Sequence, residues 1–265
     1  MAVPTIIVVP CYNEALRLDP LPFREFAIEH PDFRFLFVND GSTDGTRQLL
    51  DALHCAAPDR FLVRHLGQNS GKAEAVRQGL LRAFAEGPAY VGYWDADLAT
   101  PLEAMSAFCS ILDTRMDIDM VVGARVRLLG RSIVRPPLRH YLGRVFATAA
   151  SLALGVGMYD TQCGAKLFRA SAEFRSLFQT PFRTRWIFDV EILARLIAAR
   201  RETNGPPIEE TVYEIPLPQW HDVAGSKVRP LDLPKALFEL AAIRWSYRRR
   251  ASALHVPTHS MEEVS

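Results

Sequence analysis

YVGYWDADLATP, residues 90–101, runs apolar and then presents two carboxylates, Asp95 and Asp97, with only Ala96 between them. Residues i and i+2 of an extended chain point to the same side, so both carboxylates can face one point. Like charges this close repel, and a purely structural strand end is served as well by Asn or Ser. The pair becomes favourable if a divalent cation or a donor-rich ligand sits between them. The same residues also suit a turn, with Pro101 opening the next helix.

The neighbouring segments show what kind of sheet this strand joins. TIIVVP (5–10), FRFLFVND (33–40), FLVRHL (61–66) and MVVGAR (120–125) are further short apolar runs, most of them ending in polar residues. Helical patterns separate them, around 20–30, 43–54, 71–86 and 101–113. Near-continuous apolar strands alternating with amphipathic helices predict a mostly parallel sheet covered on both faces. Ligands of such sheets bind beyond the C-terminal ends of the strands. The polar clusters Cys11-Tyr12-Asn13-Glu14, Asn39-Asp40-Gly41-Ser42 and Asp95-Ala96-Asp97 all fall there, which favours a site over simple connections.

Composition narrows the class. The chain has 265 residues, 49% hydrophobic and 23% charged, with a formal net charge of +1. This describes a globular α/β protein with a substantial core and argues against a nucleic-acid binder. Cys11, Cys55, Cys109 and Cys163 form no CxxC pair, so zinc and redox motifs are not expected and a reducing, cytoplasmic setting is. The opening MAVPTIIVVP lacks a basic n-region and its apolar run is short for a signal peptide. No stretch reaches the ~18 uninterrupted apolar residues of a membrane-spanning helix.

Common phosphate motifs fit poorly. GQNSGKA (67–73) has only three residues between Gly67 and Gly71, and Ala73 stands where a P-loop has Ser or Thr. GVGMYD (155–160) follows a helical run and lacks the third glycine of a dinucleotide fingerprint. VPCYNEALRL contains no glycine at all. ATPase and dehydrogenase chemistry are therefore disfavoured.

Taken together, PCYNE, VNDGSTDGT, NSGKAEAVRQG, DAD, DTQCGAKLF and WIFDVEIL resemble, in this order, the inverting family 2 glycosyltransferases of the GT-A fold. The last three, with QWHDVAGSKV, are most similar to the dolichyl-phosphate glucosyltransferase branch. The resemblance covers about residues 3–229 and implies a GT-A domain over 1–229. It implies that Asn13, Glu14 and Asp40 hold the uracil and ribose of a UDP-hexose, with Pro10 and Tyr12 shaping the pocket. Lys72 would approach the phosphates or base. Asp97 would ligate Mg²⁺ or Mn²⁺ on the diphosphate, with Asp95 on the ribose or the metal, so the cation acts as Lewis acid for the leaving group. Asp189 becomes the candidate base or acceptor-orienting group. Asp160, Gln162 and Lys166 would frame the donor sugar or acceptor, and Ser226 and Lys227 would fold over phosphates.

Local alternatives stand beside each role. Glu14 can serve a capping interaction, Asp40 and Asp44 a turn, Asp189 a helix dipole, 160–168 a buried strand, and GSK a basic turn. A phosphate acceptor is largely dianionic at neutral pH, with a second pKa of about 6, and needs alignment more than deprotonation; a hydroxyl acceptor needs a base. Relative to the family, Asn39 stands where Asp is frequent and Ala165 replaces a larger residue. The N-terminal anchor of eukaryotic members is not expected here.

Between Met120 and Tyr159 lie Arg125, Arg127, Arg131, Arg135, Arg139 and Arg144, with no lysine or acidic residue. Leu138, Tyr141, Leu142, Val145, Phe146, Ala149, Leu152 and Val156 keep helical spacing through them. Leu233, Leu237, Leu240 and Ile243 repeat the pattern before Arg244-Trp245-Ser246-Tyr247-Arg248-Arg249-Arg250. Arginines beside apolar and aromatic residues suit an anionic bilayer; packing on the sheet or between subunits of a homo-oligomer is the other outcome. The expectation is a metal-dependent, inverting hexosyltransferase, best matched to glucose, acting on a polyprenyl phosphate. It would sit peripherally on the cytoplasmic face of a membrane, with an amphipathic basic helix at 230–250 and a disordered tail at 251–265. A soluble hydroxyl acceptor and a non-catalytic nucleotide-sugar-binding protein are the alternatives.

Overall fold

The computed structural model describes residues 3–134, 137–221, 223 and 232–253. Elements follow in the order β1 (Thr5–Cys11), α1 (Pro20–Glu29), β2 (Phe33–Asn39), α2 (Thr46–Ala56), β3 (Phe61–His65), α3 (Lys72–Ala85), β4 (Tyr90–Trp94), α4 (Ala104–Thr114) and β5 (Met120–Ala124). After these come β6 (Ser132–Val134), α5 (Pro137–Leu154), β7 (Ala165–Arg169), α6 (Ala172–Leu177), α7 (Phe188–Thr203), α8 (Ile208–Thr211), β8 (Val212–Pro216), β9 (Gln219–His221) and α9 (Asp232–Ala253). Each strand and helix expected through residue 125 is present. α1 begins where local chemistry dictates: Pro20 at its first position, and the Asp19 carboxylate accepting from the Leu21 amide at 2.9 Å.

Seven strands form the main sheet in the order β3-β2-β1-β4-β7-β5-β8. All are parallel except β7, which runs antiparallel to both β4 and β5. β6 and β9 form a short parallel pair apart from it. Alternation along the strands feeds two cores. Ile6 and Val8 of β1 and Leu36 and Val38 of β2 face the layer containing α3, α5, α7 and α9. Ile7, Val9, Phe35 and Phe37 face the layer containing α1, α2 and α4. On this second side Phe23 packs edge-to-face on Phe35 and Phe37, with centroids 5.2 and 5.1 Å away. Burying one such ring contributes about 1.5–3 kcal/mol. α3 approaches β1 closely because Gly79 has no side chain; a Cβ there would strike Val8 and stand 2.8 Å from Val38 Cγ2. That approach brings the N-terminus of α3 to the C-terminal edge of the sheet.

The antiparallel insertion of β7 was not legible from the sequence, and it matters for the site. It pairs Ala165 with Trp94, and the Asp95 amide donates to Gly164 O at 3.1 Å. The loop 160–164 thus reaches the same edge as the loops after β1, β2 and β4. α9 runs to Ala253, past the boundary expected at residue 250, and residues 254–265 of the expected tail lie outside the described residues.

Candidate active site

Four loops meet at the C-terminal edge of the sheet, and hydrogen bonds stitch them together. After β1, Asn13 adopts the left-handed region with φ 51°. Its Oδ1 accepts from the Thr43 amide at 2.9 Å, and its own amide donates to Ser42 Oγ at 3.0 Å. The Glu14 amide donates to Thr46 Oγ1 at 2.8 Å, and Asp44 accepts from the amides of Ala15 and Thr46. Asp44 is therefore both a turn residue and a clamp between loops. Pro10 is half-buried near the end of β1, Tyr12 half-buried and Asn13 exposed just beyond it.

Asp40 is buried and holds the next loop: its two oxygens accept from the Ser70 and Gly71 amides at 2.7 and 2.8 Å. Gly71 takes φ 93°, which only glycine adopts cheaply, and Lys72 follows as the first residue of α3. Lys72 Nζ reaches Asp95 Oδ1 at 2.5 Å. Partial burial disfavours its charge, but Asp95, Asp189 and Asp97 outweigh this and raise its pKa. Asn39, at the position where the family often has Asp, is fully engaged in structure. Its Oδ1 accepts from the Ser42 amide and its Nδ2 donates to His65 Nδ1, both at 3.0 Å.

The acid pair sits beyond β4. Asp95 packs on Gly164, where any Cβ would strike its carboxylate. Asp97 Oδ1 accepts from the Ala99 amide at 3.2 Å, its Oδ2 lies 3.5 Å from Arg17, and Leu98 between them is left-handed at φ 50°. Such backbone costs about 1–3 kcal/mol at a non-glycine residue and clusters at functional sites. Burial, then the charge of Asp95, pushes the Asp97 carboxyl above its ordinary value. β9 borders this loop, since the His221 amide donates to Ala99 O at 3.1 Å.

Asp189 lies in the first turn of α7, 5% exposed. Its Oδ1 accepts from Lys166 Nζ at 2.5 Å and from the Tyr93 hydroxyl. Lys166, fully buried, also donates to Cys163 O at 2.7 Å. Burial, then Asp189, drives the Tyr93 hydroxyl well above its ordinary pKa, so it stays protonated as a donor. The sequence pointed to Asp189 and Lys166 separately; the fold makes them one ion pair. Asp160 is likewise committed within the protein, bidentate to Arg125 at 2.6 and 2.8 Å. Burial opposes the ionised form of Asp160, but Arg125 prevails and lowers its pKa.

Beside this pair an open cleft is lined by Arg125, His140, Arg144, Tyr159, Thr161 and Gln162. Arg144 stacks 3.7 Å over the Tyr159 ring and donates to Tyr159 O at 2.8 Å. Thr161 is 1% exposed, and its hydroxyl has no hydrogen-bond partner. Sequence reasoning missed Arg17, Tyr93, Thr161 and the cleft role of Arg144. Tyr93 offered a signal, standing on β4 two residues before Asp95; Arg17 and Thr161 offered none. Ser226 and Lys227 lie outside the described residues.

Among the described residues, no group of three His, Cys, Asp or Glu side chains is placed to hold a metal ion. Asp95 and Asp97 supply two hard oxygen donors, which suits Mg²⁺ or Mn²⁺ held by one or two carboxylates and completed by substrate phosphates.

A sequence model of Glycosyl transferase family 2 matches residues 6–174, which include every element from β1 to β7. The chain is a family 2 glycosyltransferase. A dolichyl-phosphate beta-glucosyltransferase of Trichomonas vaginalis is 33% identical to this glycosyltransferase, over 92% of this chain and 72% of its own. The polyprenol monophosphomannose synthase of Mycolicibacterium smegmatis is 27% identical over 93% and 88%. Among solved structures, glucosyl-3-phosphoglycerate synthase from Mycobacterium tuberculosis, in complex with Mn²⁺, UDP-glucose and phosphoglyceric acid, superposes with a TM-score of 0.61 at 19% identity. It covers 94% of this chain and 80% of that one. This likeness establishes the GT-A-like fold.

Proposed function

We propose that this glycosyltransferase moves a hexose, best matched to glucose, from UDP to a polyprenyl phosphate with inversion and with Mg²⁺ or Mn²⁺. The observation that carries the acceptor half is the cleft of Arg125, Arg144, His140 and the unpartnered Thr161 hydroxyl, at the sheet edge that holds the acid pair. The Arg144 guanidinium and a free hydroxyl suit a phosphate monoester, beside an Arg125 fork already held by Asp160, whereas a sugar hydroxyl calls for an acceptor-side base. The relatives' names add support: one glucosyl and one mannosyl enzyme, both acting on a polyisoprenoid phosphate.

In this account Asp40 fixes the loop that presents Lys72, and Lys72 with the α3 N-terminus faces the diphosphate. Asp95 and Asp97 would hold the cation, which stabilises the charge developing on the departing UDP. Asp189, tied to Lys166 and Tyr93, orients the acceptor side rather than removing a proton, because a phosphate dianion is already a nucleophile.

A membrane-facing surface belongs to the same proposal. No described helix is long and apolar enough to cross a bilayer. However, α5 exposes Tyr141, Val145 and Leu152, α9 exposes Phe238 and Trp245, and Arg244 ties the two helices by donating to Leu152 O at 2.5 Å. Apolar side chains interleaved with arginines suit the cytoplasmic face of an anionic membrane. Arg135 lies outside the described residues.

Incubation with labelled UDP-glucose and either polyprenyl phosphate or soluble hydroxyl acceptors tests the assignment. Labelled lipid that forms only with divalent metal is expected. Transfer only to a soluble acceptor would overturn the acceptor assignment, and UDP-glucose binding without any transfer would favour a binding protein.

A further inference from the structure

Two of the chain's own cations compensate the acid pair. Lys72 Nζ lies 2.5 Å from Asp95 Oδ1, and an Arg17 nitrogen lies 3.5 Å from Asp97 Oδ2. Arg17 is shared, with another nitrogen 3.4 Å from Glu14 Oε2. Both Arg17 contacts exceed good hydrogen-bond length, and its Nε is buried without an acceptor. Lys72 opens α3, where free backbone amides carry partial positive charge; a lysine there gains nothing from the helix and is held by Asp95. Neither cation is locked in place, for their side chains are 44% and 24% exposed.

We propose that Lys72 and Arg17 are exchangeable counter-ions, so that the divalent cation and the nucleotide diphosphate enter as one unit. Without nucleotide, a cation approaching Asp95 and Asp97 must displace Lys72 from Asp95 and Arg17 from Asp97, leaving Arg17 only its contact with Glu14 and Lys72 no other ion pair among the described residues. With nucleotide, the diphosphate oxygens receive Lys72, Arg17 and the α3 amides, and the carboxylates are released to the metal. The exchange brings in a divalent metal and a dianionic nucleotide-sugar together, so the net charge of the cluster, Glu14 included, is unchanged. Metal affinity is therefore conditional on diphosphate, and the two cations set the condition. The inference rests on the nucleotide-diphosphate donor proposed above.

Manganese binding followed by electron paramagnetic resonance, with UDP binding followed by calorimetry, tests this without any transfer step. In the wild type, Mn²⁺ alone should bind weakly and UDP should tighten it roughly 5- to 150-fold, with Mn²⁺ tightening UDP by the same factor because coupling is reciprocal. Lys72→Met should bind Mn²⁺ alone roughly tenfold more tightly and lose most of the coupling. Arg17→Gln should move in the same direction through the other cation, which keeps the test open should Lys72→Met fold poorly. Lys235→Met, exposed on α9, should change nothing. The proposal is overturned if wild-type Mn²⁺ affinity is the same with and without UDP. It is equally overturned if both variants bind Mn²⁺ alone as the wild type does. Absence of UDP binding at every Mn²⁺ concentration would instead refute the donor assignment.

Discussion

Two lysine–aspartate pairs lie at one sheet edge with the same 2.5 Å separation and opposite characters. In Lys72–Asp95 the side chains are 44% and 35% exposed; in Lys166–Asp189 they are 0% and 8% exposed. The first is open to solvent and ligand, so water or phosphate can replace either partner. The second is sealed between β7 and α7, and each charge depends on the other, because an unpaired buried charge is far costlier than an exposed one. Identical pairings therefore do different work: the open pair exchanges, and the closed pair positions.

Stability is the sharpest way to break this contrast. Lys166→Met should cost about 3–5 kcal/mol by leaving the buried Asp189 carboxylate unpaired, while Lys72→Met should cost no more than about 1 kcal/mol. Equal losses in chemical denaturation would show that the two pairs are not distinct.

Next in size is Asp97→Asn. Transfer should fall about a hundredfold or more through loss of charge stabilisation on the leaving group. Stability should move the other way. Because the folded Asp97 pKa is raised, the protonated form is favoured by folding; that contribution is present at low pH and is lost as pH rises through the folded value. The variant should thus be more stable than wild type at neutral pH, with the gap closing as pH falls below the ordinary carboxylate range. Melting curves across pH that show no such convergence would separate Asp97 from the open cluster.

Gly164→Ala tests whether β7 positions the open pair. Its new Cβ meets the Asp95 carboxylate, so UDP affinity with Mn²⁺ should drop by roughly tenfold, in the range of positioning residues behind metal ligands. Unchanged affinity would mean that the contact with β7 is incidental.

The smallest effect is expected at Tyr93→Phe, which removes one hydrogen bond from Asp189 at about 1 kcal/mol. With a lipid phosphate acceptor, rate against pH should rise through about 6, the second ionisation of the acceptor, in wild type and variant alike. A limb that shifts in the variant would assign the proton to Asp189. Substituting Asp189 itself is less informative, because it would strand the buried Lys166 charge.

Much of this was legible without coordinates. Period-two burial in apolar strands, helical spacing between them, and polar residues at strand ends depend on each residue's near neighbours, and they identified the parallel sheet and the edge where ligands bind. Asp95, Asp97, Lys72 and Asp189 stood out for the same reason, as polar residues where an apolar pattern stops. What remained hidden was pairing across distance. That Asp40 clamps the amides of Ser70 and Gly71 is decided by the approach of two loops some thirty residues apart. Asp160 lines the cleft and grips Arg125 across it, a pairing of residues 35 apart in the chain.

By itself, then, the sequence determined the layered α/β architecture, the acid pair at the end of β4 and the family. Only the tertiary structure decided that β7 enters antiparallel between β4 and β5, that Lys166 meets Asp189, and that Arg17 meets Asp97. The physical reason is that periodicity records which face of an element is buried. Which charge lies opposite another is set by strand order and register, which local pattern leaves undetermined.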